Sequence, residues 1–268
     1  RGIASMADQR AQLAVGAFAL ESELQGAAPA GGDLLSATDS AVAYLGRVGS
    51  AVACNVASSA LDLAPASLAS GVAITWWNTA PQPGDSILVL DEGASRSDTD
   101  DRWWHVALAS VATLPNACQG SSYVDSIADA GKSGWRLTTA SALPLTVAPG
   151  APVLVVRPQR FALYRSGSEW MLGWTEWNHA SGTWHVIQPV AGPLLSYAAG
   201  AAPSGFALVW RDSLGAPMAT GTPLPGAAVG GVSLMLRGVT REAVRMDGVV
   251  AGLRRDSLRR HVALRNRP

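Results

Sequence analysis

The apolar residues of this chain recur with a helical period only in its first 25 residues. Ile3, Met6, Leu13, Ala17, Leu20 and Leu24 recur at spacings of three, four and seven, with charged residues between them. Gly26 begins an Ala/Pro/Gly run through Gly32, which is typical of a helix end. No comparably clear helical pattern follows. The chain is therefore predicted to be α+β and mostly β, with one N-terminal amphipathic helix packed on an antiparallel β-sheet-rich head.

The rest of the chain favours strands, because apolar and aromatic residues alternate there between turn residues. Clear examples are Trp170/Leu172/Trp174, Phe206/Leu208/Trp210 and Val232/Leu234/Leu236. The predicted strands are 41–48, 52–56, 72–77, 86–90, 103–111, 153–158, 161–165, 170–177, 184–189, 206–211, 232–237 and 258–265. Residues 61–70 and 125–131 could each hold a short helical turn. We expect a helix over 1–26 and a β-rich head over 27–268, which could contain two sub-sheets that divide near residue 150.

The charge of the chain is balanced overall but unevenly distributed. The chain has 20 basic and 20 acidic residues, and only 15% of its residues are charged. Residues 237–268 contain nine arginines and three acids, a net +6, so the remainder carries −6. The larger part of the chain is thus acidic, and tryptophan does not interleave with basic residues. These features argue against a nucleic-acid partner.

The basic C-terminal segment leaves two interpretations open. Residues 258–265 alternate as an edge strand would, and solvated arginines there protect a sheet edge from further pairing. Alternatively, the arginines form an interface with a protein partner or with anionic lipid head groups. The candidate interface residues in this segment are Arg254, Arg255, Arg259 and Arg260.

The sequence contains no recognisable catalytic or cofactor motif. None of the four histidines has a metal-ligand partner at the spacing of a zinc site, and no G-x-S-x-G turn occurs. Gly131-Lys132-Ser133 lacks the preceding glycine of a phosphate-binding loop and is interpreted as a surface turn. We therefore expect no enzymatic activity, no catalytic residues and no cofactor.

An acidic loop is the weak candidate for a metal site. Asp98, Asp100 and Asp101 follow Asp91 and Glu92, and alternate carboxylates can hold calcium, but the glycine and distal glutamate of an EF-type loop are absent. We interpret the segment as a solvated acidic loop, which could equally meet an arginine-rich partner.

Ten tryptophans are the most unusual local feature of the sequence. Most are expected to lie in the core. The doublets Trp76-Trp77 and Trp103-Trp104 cannot point wholly inward from one strand, because successive side chains alternate faces. Trp77 and Trp104 are therefore candidate interface residues.

The two cysteines, Cys54 and Cys118, are compatible with one disulfide in an oxidising compartment, although two isolated buried thiols would look the same. The chain has no apolar run of membrane-spanning length and no signal-peptide pattern. It begins at Arg1, which we interpret as loss or omission of a leader or an anchor.

Several segments together resemble minor pilins and pseudopilins, the prepilin-type subunits of type IV pili and type II secretion machines. These segments are the helix, the runs PGDSILVLDE (83–92), DDRWWHVAL (100–108) and APVLVVRPQRFALYR (151–165), the two cysteines, and the closing SLMLRGVTR and HVALRN. The resemblance implies a helix whose second half packs on an extracytoplasmic β-sheet head. The cleavage site and the hydrophobic half of the helix, with its glutamate, are not in this sequence.

The resemblance implies a non-enzymatic structural subunit, periplasmic or otherwise extracytoplasmic, whose partners are other subunits of a membrane-associated assembly. One alternative is a membrane-extrinsic subunit that clamps an integral membrane complex, such as a photosynthetic reaction centre with its light-harvesting antenna. Another alternative is a carbohydrate-binding module, because exposed tryptophans can stack on sugars.

Overall fold

The computed structural model of the protein describes residues 2–95, 100–198, 203–219, 228–244 and 252–264. Helix α1 spans Gly2–Gln25, and a 3-10 turn follows at Pro29–Gly31. The described strands are β1 (Leu34–Ala37), β2 (Ala41–Ala57), β3 (Ala60–Leu63), β4 (Trp76–Trp77), β5 (Ser86–Asp91), β6 (Arg102–Leu114), β7 (Gly134–Thr139), β8 (Pro152–Ser166), β9 (Glu169–Asn178), β10 (Thr183–Trp184), β11 (Gln188–Leu194), β12 (Phe206–Asp212), β13 (Val229–Val239) and β14 (Arg255–Ala263). The predicted class, mostly β with one N-terminal helix and a large antiparallel sheet, is confirmed.

The chain forms two compact units. Unit 1 comprises residues 1–46, 158–177 and 184–268, and unit 2 comprises residues 47–157 and 178–183. Unit 2 is therefore an insertion that the chain enters within β2 and leaves within β8. The sequence alone places a possible division near residue 150.

Two pairs of predicted strands each form one continuous strand, β2 and β8. Strand β2 is continuous through Gly49, where a side chain would overlap the ring of Trp77, so glycine serves close packing there and does not end the strand. Strand β8 is continuous through Pro158. Its residues 153–156 pair with β5 and its residues 159–166 pair with β9, so the missing proline N–H falls between the two ladders.

Three short strands were not predicted. Strands β1 and β3 have four residues each, so the alternation in them is too brief to recognise, and β7 (GWRLTT) begins at the end of the glycine-rich turn at 131–134. The possible helical turn over 61–70 is wrong in its first part, because Leu61 and Leu63 belong to β3. The predicted strand over 72–77 is reduced to Trp76–Trp77.

In unit 1, the inner side of α1 lies in the same apolar cluster as the sheet. Leu13, Ala17, Leu20 and Leu24 are buried with Phe206, Trp210, Val232, Leu234, Leu236 and Val262. Helix α1 contacts β11, β13 and β14. At Gly16 a Cβ would lie 2.8 Å from the Ala191 Cβ and 3.0 Å from Leu236 Cδ1, so glycine is what lets the helix approach the strands this closely.

The exposure of α1 differs from the predicted stripe at its first turns. Ile3 is 82% exposed, and the inward side begins at Gln9, which is buried and donates from Nε2 to the Arg254 carbonyl oxygen at 3.5 Å. At the same level, Arg10 pairs with Asp256 of β14 at 2.7 Å. The helix therefore has apolar side chains outside its buried face, which the description as amphipathic did not anticipate.

Unit 2 has its own core and a covalent crosslink. Buried aliphatic side chains of β3, β5, β7 and β8 form one cluster, which includes Leu61, Ile87, Leu137 and Val153. Cys54 and Cys118 form a disulfide, with Cα atoms 5.5 Å apart and a sequence separation of 64 residues. Both cysteines are buried beside Ala64, Ala117 and Val124. The sequence left the disulfide and two free thiols open, and the structure has the disulfide.

A cross-strand ion pair ties β3 to β7 in unit 2. Arg136 donates from Nε and Nη2 to the two carboxylate oxygens of Asp62, at 2.6 and 2.8 Å, and Asn55 of β2 adds a third hydrogen bond at 3.3 Å. Asp62 and Arg136 face each other directly in the strand register. The hydrogen bonds from Arg136 hold the pKa of the Asp62 carboxyl below its ordinary value, against the opposing effect of burial.

Replacing both Cys54 and Cys118 by alanine is expected to lower the free energy of unfolding by about 2–5 kcal/mol, because the bond closes a long loop in the unfolded chain. Chemical denaturation of the double variant and of the oxidised wild type measures the difference. Reduced wild type should match the double variant, and its intact mass should rise by two hydrogens. An intact mass unchanged by reduction would contradict the crosslink.

Asp62→Asn is expected to lower the free energy of unfolding near neutral pH and to lower it progressively less as the pH falls. Because the folded-state pKa of Asp62 is lowered, its stabilisation is present above its unfolded-state pKa of about 3.9 and is lost as pH falls through the folded value. Urea denaturation from about pH 7 to about pH 2.5 measures the difference in free energy of unfolding between wild type and variant. The control is Asp101→Asn, at an exposed carboxylate without a described partner, which should leave a small difference at every pH.

Candidate interaction surfaces

The side of α1 that faces away from the sheet presents a row of uncharged residues. We call Ala4, Ala7, Ala11, Ala14 and Phe18 the outer helix face. All five are exposed, and Phe18 is 72% exposed. Val15, beside this row, is 52% exposed. The five residues follow one another at spacings of three and four, which is the pattern of the contact seam in paired helices. The sequence analysis did not identify this row, because it considered only the predicted inward stripe.

The first tryptophan doublet divides between core and solvent. Trp77 is half-buried and packs on the backbone of Gly49. The two residues are directly opposite each other in the register of β2 and β4. Trp76 is 52% exposed. Of the two, therefore, Trp76 offers the larger surface, although Trp77 was the candidate from the sequence.

Both members of the second doublet are exposed, with 43% exposure at Trp104. The Trp104 indole N–H donates to Asp91 Oδ2 at 3.1 Å, and the same oxygen accepts from the Thr146 hydroxyl at 2.8 Å. This hydrogen bond fixes the orientation of the indole ring while part of the ring stays in contact with solvent.

The four candidate arginines occupy two kinds of environment. Arg255, Arg259 and Arg260 are exposed on β14, which pairs along its length with β13 and with no other described strand. Strand β14 is therefore an edge strand, as the alternation predicts. Arg265, the last residue of the predicted strand, lies outside the described residues.

Arg254 differs from the other three because its guanidinium is partly enclosed. Its Nε and Nη2 atoms are buried without a hydrogen-bond acceptor in the described part of the chain. Its backbone N–H, in contrast, donates to the Thr240 hydroxyl at 2.9 Å. A buried donor without an acceptor costs free energy, so the Arg254 side chain is a local weakness of the isolated unit.

The acidic loop is held together by its own backbone where the structure describes it. The Asp100 carboxylate accepts hydrogen bonds from the N–H groups of Ala94 and Ser95 at 3.1 and 3.0 Å and from the Ser95 hydroxyl at 2.7 Å. These bonds lower the pKa of Asp100. Asp98 lies outside the described residues, and Asp101 is exposed. Within the described ranges no three His, Cys, Asp or Glu side chains group as a metal site.

A buried charge cluster in unit 2 had no signal in the sequence, because its members are far apart in the chain. Asp85 accepts two hydrogen bonds from Arg157, at 2.7 and 2.9 Å, and both side chains are almost fully buried. The Ala80 carbonyl accepts a further bond from Arg157 at 3.0 Å, and His179 Nε2 lies 3.3 Å from Asp85 Oδ1. The cluster anchors the loop before β5 to β8 and is a structural element of the unit.

Comparison of the chain with family models, with curated proteins and with solved structures finds no match in any of the three. In the portion of the chain that the structure covers, no helix has both the length and the apolar character that a membrane span requires. The disulfide indicates a non-cytoplasmic location, since such bonds persist in oxidising compartments.

Arg254→Met is expected to raise the free energy of unfolding by about 1–3 kcal/mol, because it keeps most of the aliphatic stem and removes the buried donors that lack acceptors. The matched control is Arg255→Met, next to it and exposed, which should change stability by less than about 0.5 kcal/mol. Denaturant titration of the three proteins measures both changes. A destabilised Arg254→Met variant would show that the guanidinium has an acceptor in solution.

Proposed function

We propose that the protein is a non-enzymatic structural subunit of a membrane-associated, extracytoplasmic assembly, and that it binds an α-helix of a neighbouring subunit through the outer helix face. The observation that carries the proposal is the exposed, uncharged row Ala4, Ala7, Ala11, Ala14 and Phe18. A contiguous exposed row without charges on one element is typical of an interaction site.

The spacing of the row favours a helix as its occupant. A seam that repeats every 3.5 residues on average matches a second helix that crosses at a small angle. Alanine at four of the five positions would let the two backbones approach closely, and Phe18 would supply one large apolar contact at the end of the row. Aromatic residues of this kind contribute much of the binding energy in protein interfaces.

Two further observations support the cellular setting. The disulfide agrees with an extracytoplasmic location. The resemblance of the sequence to minor pilins and pseudopilins agrees with a helix that has one side on a β-rich head and its other side available to neighbouring subunits. The assembly is therefore proposed to be a pilus-type or secretion-type filament.

The alternative assembly is an integral membrane complex that the protein clamps from outside, such as a reaction centre with its antenna. The exposed arginines of β14 favour this alternative, because cationic side chains are attracted to the anionic surface of a membrane. The two assemblies differ in the identity of the subunit bound at α1, so one experiment distinguishes them.

A photo-crosslinking residue placed at position 14 or 18 is expected to form an adduct with a helical segment of one other subunit in native membranes. Mass spectrometry of the adduct identifies the segment: a pilin-type helix supports the filament, and a subunit of an integral complex supports the clamp. Crosslinking groups at the exposed positions Leu145 and Leu214 serve as controls and should not give this adduct.

Phe18→Glu should abolish that association while it changes the free energy of unfolding by less than about 0.5 kcal/mol, because the ring is mostly exposed in the isolated protein. Leu214→Glu is the matched control, and it should leave the association intact. Adducts of equal yield at positions 18, 145 and 214, or adducts only between copies of this chain, would contradict the proposed heteromeric helix contact.

A further inference from the structure

A cavity lies on the face of β12, β13 and β14 that is opposite α1. Most of the residues that line it are basic. The register places Val209, Ser233 and His261 in one row across the three strands. In the next row, Arg211 lies opposite Gly231. The cavity is shallow, has a volume of about 540 Å³, and is lined by Arg211, Gly215, Ser233, Arg259, Arg260 and His261. We call it the basic cavity.

The residues that line the basic cavity include three arginines and no acid. Because side chains alternate along a strand, those of Arg211 and Arg259 lie on the cavity face, whereas Arg260 pairs with Leu234 and its side chain lies on the opposite face of β14. Apart from the backbone pairing of β14 with β13, Arg259 makes no hydrogen bond or ion pair within the described part of the chain. Asp212, the acid next to Arg211 in the sequence, accepts from the N–H groups of Leu214 and Ala216 at 2.9 and 2.8 Å, so its carboxylate belongs to the turn after β12. Arg211 and Arg259 thus lie on one face with no acidic residue in the cavity lining, an arrangement that an anion would stabilise.

One of the guanidinium groups is held in place by the protein. Arg211 donates from Nε to the Ser233 hydroxyl oxygen at 2.9 Å and from Nη1 to the Gly215 carbonyl at 2.6 Å. The Ser233 oxygen also lies 3.2 Å from His261 Nδ1. These contacts orient the guanidinium before any ligand arrives, so less conformational entropy is lost when a ligand binds.

Gly231 of β13 lies on the same face as Ser233, opposite Arg211 and beside the basic cavity. A Cβ there would meet the Val262 carbonyl oxygen at 2.9 Å and the His261 ring at 3.4 and 3.5 Å. The close approach of the Val262 carbonyl on the neighbouring strand favours glycine at this position.

We propose that the basic cavity binds a phosphate or sulfate ester of a small organic molecule. Guanidinium groups donate paired hydrogen bonds to the oxygens of such tetrahedral anions, and several arginines around one anion are a common way to bind it. The volume falls within the range of small-molecule sites, which leaves room for an organic body beside the anionic group. This inference goes beyond the proposed helix contact and does not depend on it.

The same chemistry could come from a soluble ester or from a lipid head group, and two measurements separate these sources. Glycerol 3-phosphate and inorganic sulfate are titrated by calorimetry, and vesicles of phosphatidylglycerol in phosphatidylcholine are tested by co-sedimentation. Saturable binding of glycerol 3-phosphate with one site per chain supports the soluble source. Vesicle binding that glycerol 3-phosphate displaces supports the lipid source.

Matched variants distinguish the basic cavity from general charge attraction. Arg259→Ala should weaken binding about tenfold or more, since it removes a charged hydrogen-bond donor from the lining. Arg255→Ala is the control, because Arg255 is an exposed arginine on the same face of β14, four residues away and outside the cavity. It should weaken binding less than about threefold, as expected for a distant, screened charge.

A third variant, Arg211→Lys, keeps the charge but loses the planar fork, and it should weaken binding by a similar factor to Arg259→Ala. Thermal unfolding of each variant without ligand checks that the fold is retained. Absence of saturable binding at millimolar ligand would overturn the proposal. Equal losses from Arg255→Ala and Arg259→Ala, or full binding by Arg211→Lys, would also overturn it.

Discussion

The burial of one side of α1 against β11, β13 and β14 is the contact on which the surfaces of unit 1 depend. Leu13, Leu20 and Leu24 are fully or nearly fully buried there, and loss of one such leucine side chain typically costs about 2–5 kcal/mol. The contact is close because Gly16 has no side chain, which brings the helix backbone against Ala191 and Leu236. Once this side is buried, the outer helix face is the side left in solvent.

The same contact also determines which side chains lie on the other face of the sheet. Val232, Leu234 and Leu236 of β13 point into the core, so Gly231, Ser233 and Met235 point the other way, because side chains alternate along a strand. The alternate residues of β12 and β14 align with them in register and add Arg211, Arg259 and His261. A strand that is apolar on one side and polar on the other thus separates the helix from the basic cavity, and each surface can bind its own ligand.

The sequence predicted the parts of the fold that depend on local alternation. The period of two in Phe206–Trp210 and Val232–Leu236 located β12 and β13, and the single helical period located α1. The prediction from sequence failed at Gly49 and Pro158, which resemble strand ends but lie inside β2 and β8. Tertiary contacts decide the outcome there: Gly49 leaves room for the Trp77 ring, and Pro158 lies between the residues paired with β5 and those paired with β9. The basic cavity could not be predicted either. Its strand residues span 50 positions of the chain, from Arg211 to His261, and only the strand register brings Arg211, Ser233 and His261 together.

The C-terminal arginines show that the role of a charged residue depends on what surrounds its side chain. All four candidates looked alike in the sequence, yet Arg254 is partly enclosed, Arg255 is an isolated solvated charge, and Arg259 and Arg260 line the basic cavity. An edge strand needs only charges in solvent to resist further pairing, and Arg255 alone satisfies that requirement. Edge protection does not require that Arg259 lie on the same face as Arg211, beside Ser233 and His261. The placement of Arg259 beside Arg211 therefore supports the proposed anionic ligand, whereas the presence of arginine on the strand alone does not.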